Sequence, residues 1–148
     1  MAEGDKREAN QQLDSRHMLV ERAREALPAA YAKYSHYCVG AAVLWSSGRV
    51  TQGCNIENAS YGLSVCAERV ALFTGVAQGE RCPQALAVAV EAPDAAFPCG
   101  ACLQVMAEWA RGLPIYLTNA QGEVQVTDLE LLLPQAFGLT RAAPASGQ

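Results

Sequence analysis

Residues 84–118, QALAVAVEAPDAAFPCGACLQVMAEWARGLPIYLT, decide the fold. The run 84–90 is short and almost wholly apolar, the pattern of a strand covered on both faces. A loop containing Pro93, Asp94 and Pro98 follows. From 99 to about 109 the apolar residues return at helical spacing, and Gly112 is placed to stop that helix. Residues 115–118 read as a second strand. Strand, helix and strand joined by short loops make a βαβ unit, which needs a parallel pair in one sheet.

Working upstream, Asp14 or Ser15 is suited to cap a helix running to about Ala26, which Pro28 ends. Residues 37–45 read as a strand, Ser46-Ser47-Gly48 as a tight turn and 49–55 as the antiparallel partner. A polar loop, 57–64, leads to a helix from Cys66 to about Ala77. Downstream, Gln121-Gly122 turns the chain into a short strand at 124–126, and a last helical turn follows at 128–133. The order α-β-β-α-β-α-β-β, without repeat or linker, predicts one α/β domain over 1–148, with helices on the faces of a mixed sheet. Residues 1–12 and 141–148 read as mobile tails.

The chain has 148 residues, 51% hydrophobic and 18% charged, enough apolar material for a packed core. Eleven Lys and Arg against fifteen Asp and Glu give a net charge of -4. No basic run interleaved with aromatics occurs, so nucleic acid is not expected as a ligand. The first twelve residues lack an apolar signal core, and no apolar stretch is long enough to span a bilayer. The expectation is a cytoplasmic, reducing location without membrane association.

Six cysteines then need roles. Cys66 opens one predicted helix in Cys66-Ala67-Glu68-Arg69, and Cys99 and Cys102 open the next in Pro98-Cys99-Gly100-Ala101-Cys102. Both helices follow strand-to-helix connections, so their N-termini should lie side by side at one sheet edge. Three thiols plus an open position is the ligand set of a catalytic zinc rather than of a closed structural site. Three thiolates around a dication leave a charge of -1, which helix N-termini and Arg69 would offset. Glu68 is left free to act on a water as general base. The Cys-x-x-Cys element alone also fits a dithiol redox site, but that mechanism has no use for Cys66-Ala67-Glu68. Cys38, Cys54 and Cys82 read as buried small hydrophobes.

Cys-x-Glu followed some thirty residues later by Pro-Cys-x-x-Cys resembles the three-cysteine form of the zinc deaminase signature. The likeness to the small cytidine deaminases runs over nearly the whole chain. It takes in Tyr34-Ser35-His36, Val39-Gly40-Ala41-Ala42, the stretch from Gly53 to Tyr61, Gln104-Val105 and Leu132-Leu133-Pro134 ending at Phe137. The resemblance implies a three-layer α-β-α fold with a mixed five-stranded sheet. It implies one Zn2+ per subunit on Cys66, Cys99 and Cys102, with Glu68 as the acid-base group. It further implies that the backbone at Ala67 reads the base and that Asn55 and Glu57 bond the ribose 3′-hydroxyl. Tyr37 would stand where relatives carry Phe beside the ligand. Phe137 would pack on the base from a neighbouring subunit, and residues from Ala59 to Tyr61 would also cross a subunit boundary, within a homotetramer.

The implied reaction is hydrolytic deamination of cytidine and deoxycytidine in pyrimidine salvage. Rival readings on the same fold are a deaminase of a modified cytidine or nucleoside antibiotic, and a non-catalytic zinc- and nucleoside-binding homologue. Without the resemblance, Asn55 and Glu57 would read as an ordinary polar turn. Glu57 would repel a phosphate on the 3′-oxygen, which favours a free nucleoside. Two departures stand out: Leu103 replaces an Arg usual after Pro-Cys-Gly-Ala-Cys, and Tyr37-Cys38 replaces Phe-Pro. The first predicts a less acidic catalytic water, the second an altered tolerance for modified cytidines.

Overall fold

The structure, a computed structural model, describes residues 3–138, with side chains described from Leu13 onward. Helix α1 (Glu3–Glu25) is followed by a 3-10 turn at Leu27–Ala29 that carries Pro28. Then come β1 (Val39–Trp45), β2 (Val50–Cys54), α2 (Ala67–Ala77), β3 (Pro83–Val90), α3 (Gly100–Ala107), β4 (Pro114–Thr118), β5 (Val124–Asp128) and the short α4 (Leu129–Leu132). The five strands form one sheet in the order β2-β1-β3-β4-β5. Only β3 and β4 pair in parallel among these neighbours.

Strand β3 shows why the sheet is covered twice. Its Leu86 and Val88 enter the larger core cluster with Ala71, Leu72, Met106 and Leu129, while Ala85, Ala87 and Ala89 enter a second cluster with Leu19, Val20 and Ala23 of α1. Successive strand residues face opposite ways. The bulky set therefore meets α2, α3 and α4, and the alanine set lets α1 approach closely on the other face. Gly40 continues that close approach, because a Cβ there would sit 2.1 Å from the Ala23 carbonyl oxygen. On the opposite face Gly53 does the same for α2, where a Cβ would lie 2.3 Å from the Ala71 nitrogen. Thr51 adds a buried polar tie, accepting from Trp45 Nε1 and donating to the Ala71 carbonyl, both at 2.8 Å.

The three-layer α/β architecture and the five-stranded mixed sheet agree with the sequence reading. Several boundaries differ: β1 begins at Val39 rather than 37, β5 runs to Asp128 rather than 126, and two helix ends move as well. Helix α1 begins at Glu3, ahead of the expected cap at Asp14 or Ser15 and within the stretch read as a tail. Residues 3–13 are rich in Glu, Lys, Arg, Gln and Ala, whose helix propensity is high even where no apolar stripe marks a helix. Helix α3 ends at Ala107 rather than near Trp109, closing with Trp109 and Ala110 N–H groups on the Met106 carbonyl, so Gly112 is not its stop. The tail expected at 141–148 lies outside the described residues.

Candidate active site

Strand directions place the site. β2 and β3 are each antiparallel to β1, so their C-terminal ends share one sheet edge, where β1 begins. Helix α2 starts beyond β2 and α3 beyond β3, and the N-cap positions are Cys66 and Cys99. Neither cap side chain makes a capping hydrogen bond, which leaves both sulfurs free for other partners. A turn further on, Cys102 is buried beneath them.

The three sulfurs lie within 4.8 Å of one another. Cys66 and Cys99 Sγ are 3.8 Å apart, Cys99 and Cys102 Sγ 3.6 Å. Sulfurs at about 2.3 Å on three corners of a tetrahedron around zinc are roughly 3.8 Å apart, so the donor set fits that ion. The electrostatics agree. A hydrogen bond from Cys102, and then one from Arg69, lower the Cys66 thiol to about 5, while the same sharing and burial push Cys102 up. Cys66 is thus the sulfur held most readily as thiolate and Cys102 the one that keeps its proton; a bound dication would favour the thiolate form of its ligands. Arg69 Nη2 stands 3.6 Å from Cys66 Sγ.

Glu68 is 5% exposed, and burial pushes its carboxyl up to about 7, aided by the nearby Cys66. It lines a cavity of ≈ 470 Å³ together with Cys66, Ala67, Cys99, Tyr37, Asn55 and Glu57. Seven of the residues named from the sequence are thus brought into one pocket. Ala59, Tyr61 and Phe137 are not on its wall, and Tyr61 and Phe137 are 77% and 74% exposed.

Asn55 and Glu57 spend much of their bonding capacity on the chain itself. Asn55 Oδ1 accepts from the Val39 N–H at 2.9 Å and its Nδ2 donates to the Tyr37 carbonyl at 2.8 Å. Glu57 Oε2 accepts from the N–H groups of Tyr34 (2.7 Å) and Ser35 (3.2 Å), and Oε1 from the Ser35 hydroxyl. The Ser35 hydroxyl and then the Tyr34 N–H hold the Glu57 carboxyl below its ordinary value. Between these anchors His36 takes a left-handed φ of 57°, a conformation rare outside glycine. The pair therefore frames the 34–39 segment that carries Tyr37.

The sequence reading missed Ser64, Ala96 and Phe97 on the pocket wall. Position just before Pro98 and Cys99 was the available signal for Phe97. The expectation for the other cysteines is corrected: Cys82 is exposed, and Cys38 and Cys54 are only half-buried at the edge of the α1 face, with Cys54 Sγ donating to the Ala29 carbonyl at 3.2 Å. Leu103 is 7% exposed in the larger core cluster beside Cys102 and Met106, so this position contributes packing.

The family described as "Cytidine and deoxycytidylate deaminase zinc-binding region" matches residues 13–116. A cytidine deaminase of Halalkalibacterium halodurans is 48% identical over 123 residues, covering 82% of this chain and 93% of the relative. A crystal structure of cytidine deaminase from Burkholderia pseudomallei superposes with a TM-score of 0.78 at 51% identity, over 82% of this chain and 98% of that one. More distantly, a blasticidin-S deaminase of Bacillus cereus is 29% identical over 128 residues, 80% of this chain and 89% of the relative. The matched span includes the thiol cluster, Glu68 and the strand ends that form the pocket, on a shared fold, and so this chain belongs to the cytidine and deoxycytidylate deaminase family.

Proposed function

We propose that the protein converts cytidine and deoxycytidine to uridine and deoxyuridine, releasing ammonia, with one zinc per subunit held by Cys66, Cys99 and Cys102. The observation that carries this reading is a buried carboxyl at Glu68, raised to about 7, beside three clustered sulfurs in a nucleoside-sized cavity. Bound zinc supplies a Lewis acid that makes a water acidic near neutral pH. Glu68 would hold the proton such a water gives up and pass it to N3 of the cytosine ring as oxygen replaces the amino group at C4. It then carries the second proton to the departing amino group, so that water and cytidine balance uridine and ammonia. A carboxyl titrating near 7 suits both halves of this transfer. Arg69 offsets the surplus negative charge of three thiolates.

The main chain at Ala67, the first residue of α2 and part of the pocket wall, reads the amide edge of the base. Asn55 and Glu57 present their remaining hydrogen-bonding capacity to the ribose hydroxyls, having used the rest to fix the 34–39 segment. A carboxylate at Glu57 disfavours a 3′-phosphate, which supports a free nucleoside in salvage. The homotetramer reading has physical support in Phe137 and Tyr61, exposed aromatics away from their own pocket; Phe137 then packs on the base in a neighbour, and residues from Ala59 to Tyr61 cross a boundary. We read 1–148 as one deaminase domain. Among the described residues no helix is long and apolar enough to cross a membrane, and a reducing cytoplasmic setting would keep the three thiols ready for metal.

Tyr37 on the pocket wall and the likeness to blasticidin-S deaminase favour a second reading, a modified cytidine as substrate. An absorbance assay with cytidine, deoxycytidine and blasticidin S, together with zinc content per chain, decides. Turnover of cytidine with about one zinc per chain is expected; zinc without turnover of any of the three would overturn the enzyme reading.

A further inference from the structure

The chain near its C-terminal end is pinned in an unusual way. Gln104, on α3, donates from Nε2 to the Phe137 carbonyl at 2.9 Å and accepts at Oε1 from the Phe137 N–H at 3.1 Å. One side chain thereby satisfies both polar groups of one residue, the exchange otherwise made by a facing residue of an antiparallel strand. The ring so held is 74% exposed and is not on the wall of its own pocket. Within a single subunit residues 134–138 stay exposed, so little burial offsets the freedom lost in ordering them. The clamp also departs from the helix whose first turn carries Cys99 and Cys102, so the ring's mounting is fixed to the metal-carrying element.

We propose that Gln104 is a positioning residue: its amide fixes the main chain of Phe137 so that the ring is presented, already ordered, to the nucleoside pocket of a second copy of this chain. This rests on the reading of Phe137 given above. Gln104 touches no substrate; it raises the fraction of subunits whose Phe137 is in the docking position. Loss of that order weakens apparent affinity in proportion to the competent fraction, while the reacting groups are unchanged.

Steady-state kinetics on the zinc-loaded enzyme test it, with zinc content and assembly size measured for each variant. Phe137→Ala is expected to raise KM. Gln104→Ala should raise KM roughly tenfold, the worth of about two modest hydrogen bonds, with kcat within about twofold. Gln104→Glu keeps the acceptor and loses the donor, so its KM should fall between. The double variant should match Phe137→Ala alone, because the clamp acts only through the ring. If Phe137→Ala leaves KM unchanged, the reading of Phe137 fails. If Phe137→Ala raises KM and Gln104→Ala does not, the clamp alone is overturned, as it is if the Gln104 effect appears as lost zinc or kcat. Should Gln104→Ala not fold, the position of Gln104→Glu between wild type and Phe137→Ala decides the matter.

Discussion

Asn55 and Val39 bond to each other twice: the Val39 N–H donates to Asn55 Oδ1 at 2.9 Å, and the Asn55 N–H donates to the Val39 carbonyl at 3.1 Å. The ring they close ties the start of β1 to the end of β2 at the mouth of the pocket. Replacing Asn55 with Ala strands the Val39 N–H and the Tyr37 carbonyl. The expected cost is about 2 kcal/mol in chemical denaturation, accompanied by a raised KM for cytidine. A variant with unchanged stability and only a raised KM would show Asn55 to be a substrate contact without a framing role.

Glu68→Gln keeps size and polarity at the buried site but abolishes proton transfer. Turnover should fall at least ~100-fold while zinc content and nucleoside binding persist. Calorimetric titration with a non-reactive cytidine analogue checks binding separately from turnover.

The same residue sets a pH dependence in the metal-free chain. Its folded carboxyl is raised from 4.5 to about 7 by burial. A raised acid stabilises the fold fully below its unfolded value, and the stabilisation is lost as pH climbs through the folded value. The size is roughly 3 kcal/mol at most. Chelator-treated wild type should therefore lose more Tm than chelator-treated Glu68→Gln between pH 5 and pH 8. Cys66, lowered to about 5, acts in the opposite direction in both proteins, so the difference between them reports Glu68 together with its repulsion from Cys66. Parallel Tm curves would refute the assignment.

Metal removal should destabilise the fold by more than loss of one packing contact, because ligand binding to the native state alone adds to its stability. Chelation should lower Tm, and zinc but not magnesium should restore it, since thiolates prefer the softer ion. Cys99→Ser should be largely insensitive to both treatments.

Gly53→Ala tests how the sheet aims the site. The added methyl would meet the Ala71 nitrogen at 2.3 Å and the Ala67 carbonyl oxygen at 2.7 Å, so α2 must shift. Overpacking of this kind costs about 1–3 kcal/mol. Because Cys66 and Glu68 ride on that helix, zinc affinity and kcat should both drop. Unchanged kcat with lowered stability would mean the shift is absorbed before the first turn.

The fold was legible where periodicity was strong. The apolar run ending at Val90 and the two cysteine-led helices led directly to the sheet, its crossing connections and the shared edge. The start of α1 was not, since a sequence of Glu, Lys, Arg and Gln has no apolar stripe to announce a helix. The thiol cluster was legible because residue type and topology both pointed there. The bonding of Asn55 and Glu57 was not, because a polar side chain's choice between main chain and substrate depends on backbone geometry, here the left-handed turn at His36. Exposure of Cys82 escaped for the same reason: composition makes cysteine a buried type on average, and position in a loop overrides it.

The insertion of β1 between β2 and β3 also has a metric consequence. Strands in a sheet stand about 4.8 Å apart, so the two helix-launching strands are about 9.6 Å apart. That is the distance at which two helices pack side by side. Had β2 and β3 been immediate neighbours, α2 and α3 would have collided; two intervening strands would have parted their first turns beyond the reach of a single ion. The spacing that brings three sulfurs to one point is therefore a property of the strand lattice, and loop substitutions around the mouth are free to alter what enters without disturbing what is gripped.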